Sequence, residues 1–398
     1  MDRRERVLRT FHNEPADKIL VAFWHHFLES ELVDGLKNPE YIEQNLAGTK
    51  AFKDEFDPDF AKVMTDGLFF MPFNYEDMHC AADLANLAPT ADMELYMDKS
   101  VEFAKRIREI YNDGRLVFYN VFSPTFQINH RMRMTHPELC EDGDRNPIVK
   151  LIKEDPAAVG EALKTIGYYT NILLDRILGE GISDGMYFSV QSFNRGIPED
   201  IYRTYVTPVE KDIIAKANSY APDHQLHICG WRGSLNNLSF YTDYDCSVIN
   251  WAVHAEGVSL AEGKKMFGGK CVIGGFGNDK TDLLCAGTKE EIQAYVEKIV
   301  EEAGTTGVII GADCTTHLAT PDEHLHLVYE KAEAEPHVIL QAIEEATGVR
   351  LNHISPQMAS YGEQIAVLMA STDLPDVIKL NTISSMVDYA EQIGRAHV

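Results

Sequence analysis

The sequence lacks long apolar runs, an excess of basic residues and a glycine-rich nucleotide motif. No stretch of about 18 apolar residues occurs, so there is no candidate membrane span. Basic residues number 36 against 62 acidic ones, a formal net charge of -26. This charge disfavours nucleic acids and anionic membranes as partners, because both are polyanions. No GxGxxG or Walker motif follows a predicted strand, and GGFGN at 274–278 is too weak to indicate a nucleotide site.

A disulfide framework is also not indicated. The chain has seven cysteines, an odd number, and its charged N-terminal stretch MDRRERVLRTFHNEPADK lacks the apolar core of a signal peptide. We therefore expect reduced thiols and a cytoplasmic location. Most of the cysteines are expected to be small buried side chains, with Cys229 and Cys314 as the exceptions.

Short apolar segments alternate with amphipathic helices along most of the chain. The predicted strands cover 19–24, 116–122, 184–190, 225–229, 246–251, 271–275 and 307–311. Helices are predicted to start at Pro156, capped by Asp155, and after Thr288, where Glu291 completes a capping box. Residues 38–67 carry mixed signals and are left unassigned. Because the strands lack period-two alternation, they indicate a parallel sheet covered on both faces. Their number favours a (β/α)8 TIM barrel over an open doubly wound sheet.

Two of these strands end in side chains that bind metals. QLHICGW places His227 and Cys229 one residue apart, and GVIIGADC ends at Cys314. A barrel brings the C-terminal ends of its strands to one mouth, where the three side chains could meet. Zinc accepts imidazole nitrogen and thiolate sulfur, and three protein ligands leave one position for a substrate. The alternative is a hydrogen-bonded core histidine and two buried cysteines that only fill space.

Four segments together resemble the uroporphyrinogen decarboxylase superfamily, over about residues 1–335. They are ERVLRTFHNEPADKILVAFW, EFDPDFAKVMTDGLFF, HICGW and GTKEEIQAYVEKIVEEAGTTGVIIGADC. The resemblance implies a (β/α)8 barrel and two branches, porphyrinogen decarboxylases and zinc-dependent corrinoid methyltransferases. In the methyltransferase branch a His-x-Cys and a distant Cys bind zinc, which corresponds to His227, Cys229 and Cys314. The decarboxylases carry an arginine-containing stretch of the type MRQAGR after the first strand. Here residues 24–29 read WHHFLE, without the cations that a tetracarboxylate needs.

The resemblance therefore implies a Zn²⁺-dependent methyltransferase that works with methylcobalamin carried by a corrinoid protein. The small substrate is either a thiol acceptor that zinc holds as its thiolate, or a methyl donor such as a methyl ether. The direction of transfer stays open. A decarboxylase of the uroporphyrinogen type and a non-catalytic zinc-binding barrel are the alternatives.

Four further residues are candidates for the same site. His25 and His26 directly follow the first predicted strand and could act on the substrate, although packing or support of the ligands is equally typical of them. Asp184 and Gln191 flank the strand 184–190. We expect Asp184 to be catalytic and Gln191 to bind substrate, with a turn as the alternative role for Asp184.

Residues 336–398 differ in character from the rest of the chain. VILQAIEEATG, VRLNHIS and YGEQIAVLMASTDLPDVI resemble the start of an extracellular solute-binding lipoprotein, and the last six residues, IGRAHV, match a translated sequencing adapter. We therefore expect a barrel domain over 1–335 and a short non-barrel extension over 336–398 that comes from a chimeric gene model. The alternative is a genuine extension packed on the barrel.

Overall fold

The computed structural model describes residues 1–30, 32–140 and 145–334. The prediction made for residues 336–398 lies outside these ranges and stays a prediction. Within them, no helix combines the length and the apolar character needed to cross a bilayer.

Eight parallel strands form one sheet. They are β1 (Leu20–Ala22), β2 (Phe60–Val63), β3 (Leu116–Phe122), β4 (Gly185–Val190), β5 (Gln225–Ile228), β6 (Val248–Trp251), β7 (Cys271–Phe276) and β8 (Val308–Ala312). Their order is β1-β8-β7-β6-β5-β4-β3-β2, so each strand after the first pairs with its neighbour in sequence, and β8 returns to pair with β1. The sheet curls into a nearly closed barrel surrounded by helices. The predicted (β/α)8 fold is confirmed.

Helices cover the outside of the barrel. In the described ranges they are α1 (Arg3–Phe11), α2 (Glu40–Phe56), α3 (Met93–Ile110), α4 (Pro124–Thr135), α5 (Pro147–Glu154), α6 (Pro156–Ile177), α7 (Glu199–Ile201), α8 (Thr207–Asn218), α9 (Val253–Glu256), α10 (Leu260–Met266), α11 (Leu283–Ala286), α12 (Lys289–Ala303) and α13 (Asp322–Ala334). A π-helical turn, Tyr202–Val206, joins α7 to α8. The side chains of Asp155 and Thr288 cap α6 and α12 as predicted.

The unassigned segment 38–67 contains both elements that its mixed signals suggested, α2 and β2. Asp57 separates them in a left-handed backbone conformation with φ of 41°. Pro58 follows and cannot continue a helix. β2 is only four residues long, which is too short for its periodicity to be read securely.

Helix α1 closes the N-terminal end of the barrel. Its Val7 and Phe11 belong to the cluster of apolar side chains that fills the barrel interior. The ring of Phe11 lies 5.6 Å from those of both Phe60 and Phe118. This packing fills the N-terminal half of the barrel, so the opposite, C-terminal mouth is where a site has room.

A carboxyl group is buried outside the barrel, on α8. Glu210 is fully buried, and its Oε2 accepts hydrogen bonds from Tyr202 (3.0 Å) and Tyr244 (2.5 Å). Burial raises the pKa of Glu210 from 4.5 to about 8, because the low-dielectric surroundings disfavour the charged form.

The raised pKa makes the stability of the protein depend on this group. Its contribution is fully present below about pH 4.5 and is lost as the pH rises towards about 8, because the folded state binds the proton more tightly than the unfolded state. Glutamine cannot ionise, so we expect Glu210→Gln to gain stability relative to the wild type across this window. Urea midpoints of both proteins at about pH 5 and about pH 9 check this; an equal difference at both pH values would contradict it.

Candidate metal centre

Three side chains converge at the C-terminal mouth of the barrel. His227 lies on β5, Cys229 directly follows that strand, and Cys314 stands two residues beyond β8. Their exposed fractions are only 3%, 7% and 8%. The two sulfur atoms are 3.9 Å apart, and Sγ of Cys314 is 3.4 Å from Nε2 of His227. All three candidate ligand atoms lie within 4.8 Å of one another.

These spacings fit a tetrahedral zinc ion. Bond lengths of about 2.3 Å to sulfur and about 2.0–2.1 Å to nitrogen place two sulfurs about 3.8 Å apart, and a sulfur and a nitrogen about 3.6 Å apart. The observed separations, 3.9 and 3.4 Å, lie close to both values. Two thiols and one imidazole also bind zinc in preference to harder cations such as Mg²⁺ or Ca²⁺.

Asn250 on β6 determines which nitrogen of His227 faces the sulfurs. Its Nδ2 donates to the carbonyl oxygens of Ile273 (2.7 Å) and Ala312 (3.3 Å). Its Oδ1 is therefore the atom that accepts the short hydrogen bond from Nδ1 of His227. With the proton on Nδ1, the lone pair of Nε2 points towards Cys314, as a metal ligand requires.

The loop that carries Cys314 is fixed on both sides. The backbone N–H of Asp313 donates to the carbonyl of Phe276 on the neighbouring strand (2.7 Å), and the Asp313 carboxylate accepts from Nδ1 of His254 (3.0 Å). Thr316 donates from both its backbone and its hydroxyl to the carbonyl of Trp24. The position of the Cys314 sulfur is therefore set before any ligand binds.

The pKa values of the two cysteine thiols are shifted in opposite directions. The hydrogen bond from Cys229, together with the nearby His227 and Lys62, lowers the pKa of Cys314 well below its usual value, despite burial. Its hydrogen bond to Cys314, and then burial, raise the pKa of Cys229 well above its usual value. Of the two, Cys314 therefore ionises more readily than Cys229, and a divalent cation bound by both sulfurs would displace their protons.

The contact between Asn250 and His227 can be tested by its effect on zinc affinity. We expect Asn250→Ala to weaken zinc binding by about 10–100-fold, because the imidazole loses the partner that orients it. Competition with a chromophoric chelator measures the affinity. Asn120→Ala is the control, because it removes another buried barrel amide, bonded to Thr65, that does not contact His227. Equal losses in both variants would contradict the assigned role of Asn250.

A small cavity opens beside the three side chains. Its volume is about 70 Å³, room for a few water-sized groups. Besides the three candidate ligands, two of the four further candidates from the sequence, His26 and Gln191, line this cavity. Nδ1 of His26 contacts the buried Asp66 carboxylate at 2.8 Å, and Nε2 of Gln191 donates to the carbonyl of Cys229 (3.1 Å).

The other two candidates lie elsewhere. His25 lines a separate, smaller cavity beside Phe27, and burial lowers its pKa. Asp184 stands just before β4, at the opposite end of the barrel from the three ligands. Its carboxylate accepts hydrogen bonds from Arg4 (2.9 Å) and Arg108 (2.5 Å). The structure therefore does not bring Asp184 to the mouth, and its ion pairs tie α1 and α3 to the start of β4.

Lys62 is a component of the cavity that the sequence reasoning missed. It lies on β2 with its ammonium 3.9 Å from the centroid of the Tyr187 ring and 5.8 Å from that of Trp24. Among the described residues, no carboxylate forms an ion pair with it. Burial lowers the pKa of Lys62 to about 8, against the opposing effect of the nearby cysteines and Asp66. Within the described part of the chain, this ammonium therefore has no carboxylate partner in the cavity, although the cysteines lie nearby.

Comparison with known proteins assigns the family. The family model for uroporphyrinogen decarboxylase (URO-D) matches residues 134–334, half of the chain and the part that holds all three candidate ligands. This chain belongs to the uroporphyrinogen decarboxylase family. Curated proteins gave no match.

One solved structure shares the fold, and a second has a weaker likeness. A methyltransferase from Methanosarcina mazei superposes with a TM-score of 0.63 at 15% identity, over 84% of this chain and 98% of its own. A B12-independent methionine synthase from Shewanella sp. W3-18-1, in complex with selenomethionine, reaches 0.49 at 13% identity, over 83% and 98%. At sequence identities this low, the likeness to the solved structures concerns the fold alone.

Proposed function

We propose that this protein is a zinc-dependent methyltransferase that moves a methyl group between a corrinoid protein and a small substrate. The observation that carries the proposal is the cluster of His227, Cys229 and Cys314, whose spacing fits one tetrahedral zinc. Three ligands leave one position, and the adjacent cavity gives a small molecule access to it. The M. mazei structure, which shares the fold and is described as a methyltransferase, adds support.

Bound zinc would supply one of two effects: it would hold a substrate thiol as its thiolate at neutral pH, or polarise the oxygen of a methyl donor. The residues of the chain set the geometry. Asn250 keeps Nε2 of His227 towards the sulfurs, and Gln191 holds the carbonyl of Cys229. The cation of Lys62 lies in the same cavity and favours an anionic group on the bound substrate.

We infer that His26 exchanges a proton with the substrate. The buried carboxylate of Asp66 accepts from Nδ1, which fixes the ring at the edge of the cavity. Nε2 is then the nitrogen through which His26 can donate or accept a proton. We leave His25 and Asp184 out of the proposed catalytic set, because neither lines this cavity.

Porphyrinogen decarboxylation fits the site less well. A porphyrinogen carries several carboxylates, whereas the lining of the cavity contributes two lysine or arginine side chains, Lys62 and Arg133. A tetracarboxylate would leave anionic groups without a charged partner. The charges of the lining therefore favour a substrate with fewer carboxylates.

Methyl transfer is tested in both directions with the zinc-loaded protein. Methylcobalamin is mixed with a panel of small thiols, and reduced cobalamin with a panel of methyl ethers, while the cobalamin absorbance is followed. We expect zinc-dependent turnover in one direction, and none in Cys314→Ser. No transfer in either direction, with carbon dioxide released from a porphyrinogen, would replace this function by decarboxylation. Zinc binding with neither reaction would indicate a binding protein.

A further inference from the structure

A second group of side chains of types that bind metals lies away from the cluster of His227, Cys229 and Cys314. His79 is on the long loop between β2 and α3, and His136 and Glu138 directly follow α4. One ligand atom from each of the three lies within 4.8 Å of the others. His136 is buried, whereas His79 and Glu138 are exposed. The group contains no cysteine and shares no residue with the first.

The ring of His136 is oriented as in metal sites. Its Nε2 lies 2.9 Å from the carbonyl oxygen of Tyr75, and since a carbonyl only accepts, Nε2 carries a proton. This leaves Nδ1 facing Oε1 of Glu138 at 3.0 Å. Two nitrogen or oxygen ligands of one tetrahedral zinc lie about 3.3 Å apart, from bonds of about 2.0–2.1 Å. A histidine that binds through one nitrogen and donates from the other to a carbonyl is typical of metal centres.

His79 supplies the third donor. Its ring centroid lies 4.8 Å from that of His136, with the two planes at 81°, so the edge of one ring faces the other. The backbone around it is held in place, because the N–H groups of His79 and Cys80 both donate to the carboxylate of Asp83 (3.0 Å each). The loop therefore presents the imidazole to His136 and Glu138 without having to refold.

We propose that His79, His136 through Nδ1, and Glu138 form a second site for a divalent transition metal ion, with Zn²⁺ as the ion that suits two imidazoles and one carboxylate. Water fills the remaining position, because two of the ligands are exposed. The site exchanges its ion more readily than the buried cysteine cluster does. The proposal does not depend on the proposed methyltransferase activity.

Metal binding here would fasten the β2–α3 loop to the end of α4. The same loop contributes Phe69 to the wall of the cavity beside the first cluster. The carbonyl of Phe69 also accepts from Nε2 of Gln127 on α4 (2.7 Å), so a hydrogen bond already joins the loop to the helix. Occupation of the second site stabilises the loop that forms one side of the cavity.

The test counts zinc ions in the full chain, freed of copurified metal with a chelator and then dialysed, by equilibrium titration with ZnCl₂ monitored by calorimetry. We expect about two ions per wild-type chain and about one in the double variant Cys229→Ser/Cys314→Ser, since the two groups share no ligand. Adding either His79→Gln or Glu138→Gln to the double variant is expected to abolish the remaining binding. Both residues are exposed, so neither change threatens the fold.

His326→Gln in the double variant is the matched control. His326 is a surface histidine whose Nε2 contacts Oε1 of Glu55 at 2.8 Å, a comparable histidine–carboxylate pair to which the described residues add no third ligand. We expect it to leave the single remaining zinc in place. The proposal is overturned if the double variant binds no zinc, or if its zinc persists in both His79→Gln and Glu138→Gln, or if His326→Gln removes it as well. Failure of the methyltransferase assay would leave these counts unchanged.

Discussion

Cys314→Ser and Cys229→Ser should each lose the zinc that copurifies with the protein, and with it methyl transfer by at least about 100-fold. Loss of a residue that only orients a ligand already costs about 10–100-fold in metal affinity or activity, and these residues are the proposed ligands themselves. A serine hydroxyl does not ionise near neutral pH and is a poor substitute for thiolate. Elemental analysis after gel filtration without added metal, together with the cobalamin assay, measures both losses.

Cys285→Ser is the control for this pair. Cys285 is a free, partly exposed cysteine on α11 and is not in the cluster. It should retain the zinc and the full rate. If the two ligand variants kept their zinc, or if all three variants lost it equally, the assignment of Cys229 and Cys314 as ligands would be wrong.

Lys62→Met should raise KM for an anionic substrate by about 10–100-fold while leaving the zinc in place. The ammonium lies in the cavity over Tyr187, and no carboxylate among the described residues forms an ion pair with it, so we expect a negatively charged group on the substrate to be its partner. A hydrogen bond to a charged group contributes about 1.5–3 kcal/mol. Methionine keeps most of the volume and packing of the lysine chain but removes its charge.

The expected signature is selectivity between substrates. Steady-state kinetics with an anionic thiol and a neutral thiol of similar size should show the KM increase for the anionic one only. Lys264→Met, which changes a lysine bonded to the carbonyl of Gly307 at the N-terminal end of the barrel, opposite the mouth, should leave both KM values unchanged. An equal loss with both thiols would mean that Lys62 acts on the metal ligands and not on the substrate.

The barrel could be predicted from the sequence because its signals are local. Strand β3 matches the predicted 116–122 in full, and the caps at Asp155 and Thr288 gave the starts of α6 and α12. His227, Cys229 and Cys314 were found for a similar reason: each stands at or just after the end of an apolar strand, where a barrel gathers its functional side chains.

The partners of these residues could not be predicted, because they depend on register between distant strands. Asn250 faces His227 because β5 and β6 pair them directly, and nothing near VINW in the sequence shows this. Lys62 was hidden in the segment whose strand was not assigned. The one local signal for Asn250 and for Lys62 was that each is a polar residue inside an otherwise apolar strand. Asp184 was proposed together with Gln191 because both flank one strand; the barrel sends these two flanks to opposite ends, and Asp184 lies at the end away from the three candidate ligands.

X-ray absorption at the zinc edge of the copurified protein directly tests the assignment of the zinc ligands. We expect about two sulfur neighbours at about 2.3 Å and at least one nitrogen or oxygen neighbour at about 2.0–2.1 Å. A thiol substrate, if that is the acceptor, should raise the sulfur number to about three. Zinc surrounded only by nitrogen and oxygen, or protein purified without chelator that contains no zinc, would contradict the assignment of the Cys229, Cys314 and His227 cluster as the metal centre.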